Sequence, residues 1–173
     1  MIVTIDPNKL GCGVAVWNET ESKLVEALYV ECEASTGDKT HYASDARLAW
    51  CVGEVKRKYD TPLSGRVHAI IERPRVYPGV SQKDLNDLID VACVGAACAT
   101  FFKSVDTVYP SEWKGTVKKR VMRERIRSKL TAEEEKCVKW SNKSNNEDIL
   151  DAIGIGLWHF GRLNQKVYPG AGK

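Results

Sequence analysis

A chain of 173 residues, 43% of them hydrophobic and five of them Trp, is long enough for one domain with a buried core and too apolar to be disordered. Its 26 Lys and Arg against 23 Asp and Glu leave a net charge of +3, so any preference for an acidic partner depends on where the cations lie. The apolar runs are too short to span a membrane, and we expect no signal peptide because the chain begins with a strand-like segment.

The cysteine and histidine residues do not form a metal-binding pattern. Six cysteines are scattered along the chain: Cys12, Cys32, Cys51, Cys93, Cys98 and Cys137. They form no Cys-x-x-Cys pair and the chain has three histidines, so we do not expect a zinc site. Reduced thiols are typical of the cytosol, which predicts a cytoplasmic protein.

The first thirty residues predict three antiparallel strands. The β-branched segment 1–5 stops at Asp6-Pro7-Asn8, and small and apolar residues alternate from position 11 onward. Pro7 and Asn8 supply the chemistry of a tight turn, and segment 23–31 completes the meander. Asp6 then lies at the carboxyl end of a buried strand, where open α/β sheets bind ligands, although an acid here can simply cap the turn.

A helix and a fourth strand follow, and the strand again ends in an acid. The helical pattern covers 44–59, and the apolar run 67–71 leads to Glu72, an arrangement that resembles Asp6. The next loop carries two cations and an aromatic side chain: Arg73, Arg75 and Tyr77. This mixture suits a nucleic-acid surface, but Pro-rich loops with Arg are common without that role.

Small side chains dominate the second half of the next predicted helix, 81–102. Small residues let two backbones approach closely, so this helix packs either on the sheet or on its own copy in a dimer. The sequence does not distinguish these alternatives. A brief strand at 105–108 follows.

Positive charge is concentrated between residues 114 and 129. The segment holds one acid, Glu124, and eight cations: Lys114, Lys118, Lys119, Arg120, Arg123, Arg125, Arg127 and Lys129. Val117, Val121 and Ile126 indicate an apolar helical stripe, which places the cations on the exposed side. This predicts a phosphate-binding face, with a solvated helix surface as the alternative.

A capping box opens the following helix. Thr131 and Glu134 have the spacing of that motif, and the helix is expected to run to about residue 140. The chain has no internal repeats and no low-complexity tracts, so residues 1–166 are expected to form one domain. The tail 167–173, with one Pro and two Gly, is expected to be flexible.

The last predicted helix brings two carboxylates together. Asn145 or Asn146 is expected to cap its first turn, and Asp148 and Asp151, three residues apart, point the same way. Behind them the helix is apolar almost all round, which predicts burial. Two carboxylates at the mouth of a buried helix repel each other unless a cation lies between them. The alternative is a pair of solvated first-turn acids, which most helices carry.

The order of these elements resembles the ribonuclease H-like α/β fold, in which a mixed five-stranded sheet, its first three strands antiparallel, carries acids on its first and fourth strands and on the last helix. The chain resembles more closely the RuvC family of Holliday-junction resolvases, especially phage-type members. Four segments carry the resemblance: Ile5-Asp6-Pro7 with Gly11 and Gly13-x-Ala15; Ile70-Ile71-Glu72; Tyr109-Pro110-x-x-Trp113-Lys114; and Asp148-x-x-Asp151-Ala152-Ile153-Gly154-Ile155. Two positions depart from the family: Asn8 stands where Gly is usual, and Arg75 where an aromatic that stacks on bases is common, with Tyr77 the nearest aromatic.

The resemblance implies an endonuclease with a metal site. Its ligands are expected to be four carboxylates, Asp6, Glu72, Asp148 and Asp151, and Lys114 is expected to stabilise charge on the phosphoryl oxygens. Carboxylates are hard oxygen ligands that suit Mg²⁺, with Mn²⁺ as a substitute. Two such ions about 4 Å apart would clamp the attacking water and the leaving oxygen, with Asp6 bridging them. The products would carry 5′-phosphate and 3′-hydroxyl ends.

The family also implies partners. The chain is expected to bind branched DNA, a four-way junction, as a homodimer whose two-fold symmetry matches two symmetric cuts, in a bacterial or phage-infected cell. Neither a membrane nor a small-molecule cofactor is expected. The predicted DNA contacts are Arg73, Arg75, Tyr77, Lys114, Lys118, Lys119, Arg120 and Arg123.

Other functions are compatible with the same sequence to different degrees. The fold can host a less selective nuclease that acts on flaps, other branched DNA or RNA–DNA hybrids, because substrate choice depends on shape. A non-catalytic junction-binding module is less favoured, because carboxylates beside phosphates do not help binding. An actin-like ATPase needs about twice this length.

Overall fold

The computed structural model describes residues 1–31, 41–60, 67–76, 84–141 and 145–163, with the backbone alone at 41–43. Within these ranges the chain forms six strands and six helices: β1 Ile2–Asn8, β2 Gly11–Asn18, β3 Lys23–Glu31, α1 His41–Tyr59, β4 His68–Glu72, α2 Leu85–Ala99, β5 Ser104–Val108, α3 Pro110–Trp113, α4 Lys119–Lys129, α5 Ala132–Lys136, β6 Val138–Lys139 and α6 Asn146–His159. None of the helices in the described part is long and apolar enough to cross a membrane. Tyr77 and the predicted tail 167–173 lie outside the described residues, so the tail and the end of the predicted domain stay predictions.

The strands form one mixed sheet in the order β5-β4-β1-β2-β3-β6. As predicted, β1, β2 and β3 pair antiparallel, while β4 and β5 extend the sheet in parallel from β1. The predicted count of five strands misses β6, which pairs in parallel with Ala27 and Leu28 of β3. The predicted helix to residue 140 ends instead at Lys136, because the buried Val138 continues the sheet at the β3 edge.

Helices cover both faces of the sheet. Alternate residues of β1 face opposite sides, so Ile5 packs in a core with α1 and α2, whereas Ile2 packs in a core with α6. Thr4 lies on the α6 side, where its hydroxyl donates to the carbonyl oxygen of Ala152 at 2.7 Å. Asp6 shares the parity of Ile2 and Thr4 and therefore faces α6.

The small-residue helix α2 packs on the sheet. It contacts β1 and β4, packs also against α1, and buries Val94 and Cys98. On its outward side, Leu85 is 59% exposed and Ile89 is 58% exposed. Packing on the sheet accounts for the small side chains, and a dimer contact through the exposed side stays a prediction.

The basic segment is not one continuous helix, contrary to the prediction. Lys114 follows the short helix α3, Gly115 takes a positive φ of 57°, and α4 begins at Lys119. Glycine adopts positive φ readily, and such a residue ends a helix. The predicted apolar stripe is also wrong in part, because α4 buries Met122 while Val121 is 43% exposed.

A buried ion pair fixes the C-terminal part of the chain. Thr131 and Glu134 form the predicted capping box. The Glu134 carboxylate also accepts hydrogen bonds from the Arg162 guanidinium at 2.6 and 2.7 Å and from the Leu24 N–H at 3.0 Å. Burial raises the pKa of Glu134, but these donors outweigh it and lower that pKa to about 2. The pair ties α5 and the start of β3 to the segment that follows α6.

Candidate active site

Asp6 and Glu72 meet at the carboxyl ends of two neighbouring parallel strands. Ile5 of β1 lies opposite Ile71 of β4, so the next residues, Asp6 and Glu72, are adjacent. Asp6 is 8% exposed. Glu72 ends β4 as predicted, whereas the predicted turn at Pro7 and Asn8 is wrong, because β1 continues past Asp6 to Asn8 and the turn lies at Lys9 and Leu10. The carboxyl edge of parallel strands is where sheets of this class bind ligands.

A glycine on β2 lets α6 bring its acids to the same edge. Gly13 pairs with Asp6 in the β1–β2 ladder, and a Cβ atom on Gly13 would lie 1.9 Å from the carbonyl oxygen of Asp148. The first turn of α6 therefore lies directly on the hairpin. Asp151, one turn further along, is 4% exposed, so the alternative of two solvated first-turn acids is wrong for this residue.

The ammonium group of Lys114 lies between two of the carboxylates. Its Nζ is 3.2 Å from Asp151 Oδ2 and 3.5 Å from Glu72 Oε2. It also lies 4.6 Å from the ring centroid of Trp113, whose indole N–H donates to Glu72 Oε2 at 2.5 Å. The short helix α3, directly after β5, thus presents Trp113 and Lys114 to the site. Sequence reasoning placed Lys114 here and gave Trp113 no role.

Burial and mutual repulsion dominate the electrostatics of the cluster. Burial raises the pKa of Asp6 well above its usual range, and the charges of Glu72 and Asp151 raise it further. Burial also raises the pKa of Glu72, although Lys114 opposes the shift, and burial raises the pKa of Asp148. Burial lowers the pKa of Lys114, but the neighbouring carboxylates outweigh it and the pKa is raised. The cluster therefore holds more negative charge than Lys114 compensates.

Asn8, where the family usually has Gly, bonds to Asp148. Its Nδ2 donates to Asp148 Oδ2 at 3.1 Å, and its Oδ1 accepts from the Lys9 N–H at 2.7 Å. The side chain therefore links the end of β1 to α6 and orients Asp148. The sequence predicts only a turn residue at Asn8 and not this contact, because the partner is 140 residues away.

The predicted cap of α6 is wrong. Asn145 stands at the N-cap position without a side-chain hydrogen bond to the helix. The Asn146 side chain instead accepts from the Ser141 N–H at 2.7 Å and donates to the Ser141 carbonyl oxygen at 2.9 Å. Asn146 therefore ties the start of α6 to Ser141, and these bonds compete with capping.

Part of the predicted DNA-binding surface lies on α4, beside the acids of the site. The side chains of Arg120 and Lys119 are 88% and 58% exposed, and Lys118 precedes the helix. Arg123 and Lys119 both pair with Glu147 at the start of α6, but the Arg123 side chain is only 18% exposed. Within the described residues, its Nε and Nη2 atoms are buried without a hydrogen-bond partner. Arg123 and Glu147 therefore fasten α4 to α6.

Two arginines and a tyrosine form a second cationic surface near Glu72. The Arg73 N–H donates to the Val108 carbonyl oxygen at 2.8 Å, which holds the loops after β4 and β5 side by side. The guanidinium carbons of Arg73 and Arg75 lie 5.9 and 5.6 Å from the ring centroid of Tyr109. Tyr109 was not among the predicted DNA contacts, because only the pairing of these loops brings it beside the arginines.

The chemistry of the donor set fits a hard divalent cation. The potential ligands are four carboxylates, Asp6, Glu72, Asp148 and Asp151, and their uncompensated charge would be relieved by a cation. Among the described residues, no three acid, histidine or cysteine side chains converge closely enough to form a complete metal-binding group. The ammonium of Lys114 takes the place of a cation between Glu72 and Asp151.

Comparison with solved structures places this geometry among known folds. No protein-family model matches the sequence, and a search of curated proteins gives no match. RuvC of Thermus thermophilus in complex with a Holliday junction substrate superposes with a TM-score of 0.57 at 18% identity, covering 94% of both chains. A second structure of Thermus thermophilus RuvC gives a TM-score of 0.59 at 17% identity, covering 92% of both chains. The yeast mitochondrial Holliday junction resolvase Ydc2 gives 0.53 at 16% identity, covering 94% of this chain and 79% of that chain. The chain therefore has the ribonuclease H-like fold of the RuvC-type Holliday-junction resolvases.

Proposed function

We propose that this chain is a divalent-metal-dependent endonuclease that resolves four-way DNA junctions. The observation that carries the proposal is the cluster of buried carboxylates around Lys114, at the strand ends of a fold that the chain shares with junction resolvases. The similar RuvC structure holds a Holliday junction, and the similar yeast protein is a Holliday junction resolvase.

The carboxylates are the proposed metal ligands. Four side chains would hold two Mg²⁺ ions, or Mn²⁺ in their place: Asp6, Glu72, Asp148 and Asp151. When bound, the ions stabilise negative charge on the attacking and leaving oxygens. Asp6 would be the central ligand, because Glu72 lies on the neighbouring strand and Gly13, which pairs with Asp6, lies against the first turn of α6.

Hydrolysis forms a bond from a water oxygen to phosphorus and breaks the bond from phosphorus to the 3′ oxygen. The leaving 3′ oxygen takes a proton, so the ends are a 5′-phosphate and a 3′-hydroxyl. Lys114 is the proposed electrostatic stabiliser of the phosphoryl oxygens, and its side chain is 20% exposed at the mouth of the site.

The exposed cations are proposed to hold the DNA backbone. Lys118 directly precedes α4, Lys119 and Arg120 begin it, and all three are open to solvent beside the first turn of α6. Contacts of this kind bind phosphates, position the substrate and do not read sequence. Arg73 and Arg75, stacked on Tyr109, would hold a strand at the Glu72 side of the site.

A homodimer is proposed because one junction requires two symmetric cuts. The exposed side of α2, with Leu85 and Ile89, is the candidate contact. Light scattering with and without junction DNA measures this directly. A monomer mass in both samples would contradict it.

A panel of labelled substrates tests the function. Four-way junctions, flaps, linear duplexes and RNA–DNA hybrids are incubated with Mg²⁺ or with EDTA, and paired symmetric cuts on the junction alone are expected, lost with EDTA. Equal cutting of all substrates would reassign the chain as a less selective nuclease. Tight junction binding without cutting would make it a non-catalytic binding module.

A further inference from the structure

Trp113 contacts Glu72 of β4, Lys114 and the helix α6, which carries Asp148 and Asp151. It is buried (0% exposed) at the end of α3. Its indole N–H donates to Glu72 of β4, and its ring lies beneath the ammonium of Lys114. Its ring edge meets α6, since a Cβ atom on Gly154 would lie 2.5 Å from Cζ3 of Trp113.

These contacts require tryptophan. The face of an aromatic ring attracts a cation, which phenylalanine also offers, but the hydrogen bond to Glu72 needs the indole N–H. The indole and the Lys114 ammonium both contact the Oε2 oxygen of Glu72. These two contacts fix the orientation of the carboxylate. Among the described residues they involve only Oε2, so Oε1 could bind a further cation. Groups that orient a metal ligand typically change metal affinity 10- to 100-fold when removed.

We propose that Trp113 is a positioning residue, which orients Glu72 for metal binding and holds Lys114 beside it. The inference rests on the proposed function, because it assumes that the carboxylates bind a divalent ion. It extends that proposal to a side chain that contacts neither the metal nor the DNA. Trp113 acts through Glu72 and Lys114.

The chain offers a matched control in Trp17. Trp17 is also buried (0% exposed), its indole N–H donates to Thr4 Oγ1 at 3.1 Å, and its ring packs on a glycine of α6, Gly156. Trp113→Phe and Trp17→Phe therefore each remove one buried indole donor that packs on α6. They differ in that only Trp113 donates to a carboxylate of the site.

The test is calorimetric titration of the metal-stripped full chain with Mg²⁺, at a temperature where thermal scans show both variants folded. Trp113→Phe is expected to weaken Mg²⁺ binding at least 10-fold, while Trp17→Phe leaves it unchanged. Equal effects of the two variants would overturn the inference and make Trp113 a packing residue. If Trp113→Phe does not fold, the indole N–H resonances are measured by NMR instead. Glu72→Gln and added Mg²⁺ should each shift the Trp113 resonance and leave the Trp17 resonance unchanged. Unmoved Trp113 signals would also overturn the inference.

The outcomes separate this inference from the proposed function. Mg²⁺ binding that responds to Trp113→Phe, in a protein that cuts no junction, would overturn the function and support the positioning role. A protein that cuts junctions, but whose Mg²⁺ affinity is unchanged by Trp113→Phe, would support the function and overturn the positioning role. A wild-type chain that binds no Mg²⁺ would overturn both.

Discussion

Gly13→Ala is expected to remove most of the cleavage activity, because Gly13 sets how closely α6 approaches the sheet. A Cβ atom there would lie 1.9 Å from the Asp148 carbonyl oxygen, whereas a carbon and an oxygen in contact lie about 3.3 Å apart. The helix must therefore retreat by about 1.4 Å, and it carries Asp148 and Asp151 with it. A displacement of about 1 Å at a reacting centre can cost about 100-fold in rate, and overpacking costs about 1–3 kcal/mol of stability.

The assay is single-turnover cleavage of a labelled four-way junction, with thermal unfolding measured on the same samples. Gly95→Ala is the control, because a Cβ atom at Gly95 of α2 meets its nearest neighbour, Pro7, at an ordinary contact distance of 3.4 Å. In a helix that change should leave cleavage intact and stability equal or higher. A folded Gly13→Ala variant that cleaves within a few-fold of wild type would refute the reasoning.

Three further predictions follow from the same geometry. Burial raises the folded-state pKa of Asp6, so its negative charge destabilises the metal-free protein once the pH rises above the unfolded-state pKa. Asp6→Asn should therefore raise the melting temperature measured in EDTA at pH 7, and a lower melting temperature would contradict this. The lowered pKa of Glu134 stabilises the fold above the unfolded pKa, and this stabilisation is lost as pH falls towards about 2. Glu134→Ala should cost about 1–3 kcal/mol in chemical denaturation at pH 7, because Arg162 keeps the carbonyl oxygens of Ser22 and Lys129 but loses its carboxylate partner; unchanged stability would contradict this. Arg120→Gln should weaken junction and duplex binding alike and lower the salt slope by about 1 in fluorescence anisotropy, whereas an unchanged slope would remove Arg120 from the DNA surface.

The strands and the acids could be predicted because local signals were strong. Short apolar runs rich in β-branched residues, buried on both faces of the sheet, identify β1 and β4, and Asp6 and Glu72 directly follow these runs. The burial of α6 was also predicted correctly, because its sequence is apolar on almost every side, and Asp151 is buried among these residues.

The predictions that were wrong concern features set by contacts that local sequence does not show. Val138 has no local sign of a strand, because β6 exists only through pairing with β3. The apolar phase of α4 was read from Val117, which lies before the helix begins, so Val121 was predicted to face inward in place of Met122.

Side-chain contacts between distant elements of the site could not be predicted. Trp113 meets Glu72 across 41 positions and Asn8 meets Asp148 across 140, so no local spacing relates either pair. Glu147 and Asp148 are adjacent acids in one helical turn, yet one pairs with α4 and the other bonds to Asn8. The two acids have different partners only because β1 and α4 approach the start of α6 from different sides.

The most direct test of the account compares wild type with Asp6→Asn on one labelled four-way junction and its matched linear duplex, with Mg²⁺ and with EDTA. Cut positions are mapped on both strands, and binding is measured in parallel. The account predicts paired symmetric cuts on the junction alone, with 5′-phosphate ends, lost in EDTA and in Asp6→Asn while junction binding persists. Symmetric cutting that survives in a folded Asp6→Asn variant would contradict the proposed role of the carboxylate cluster.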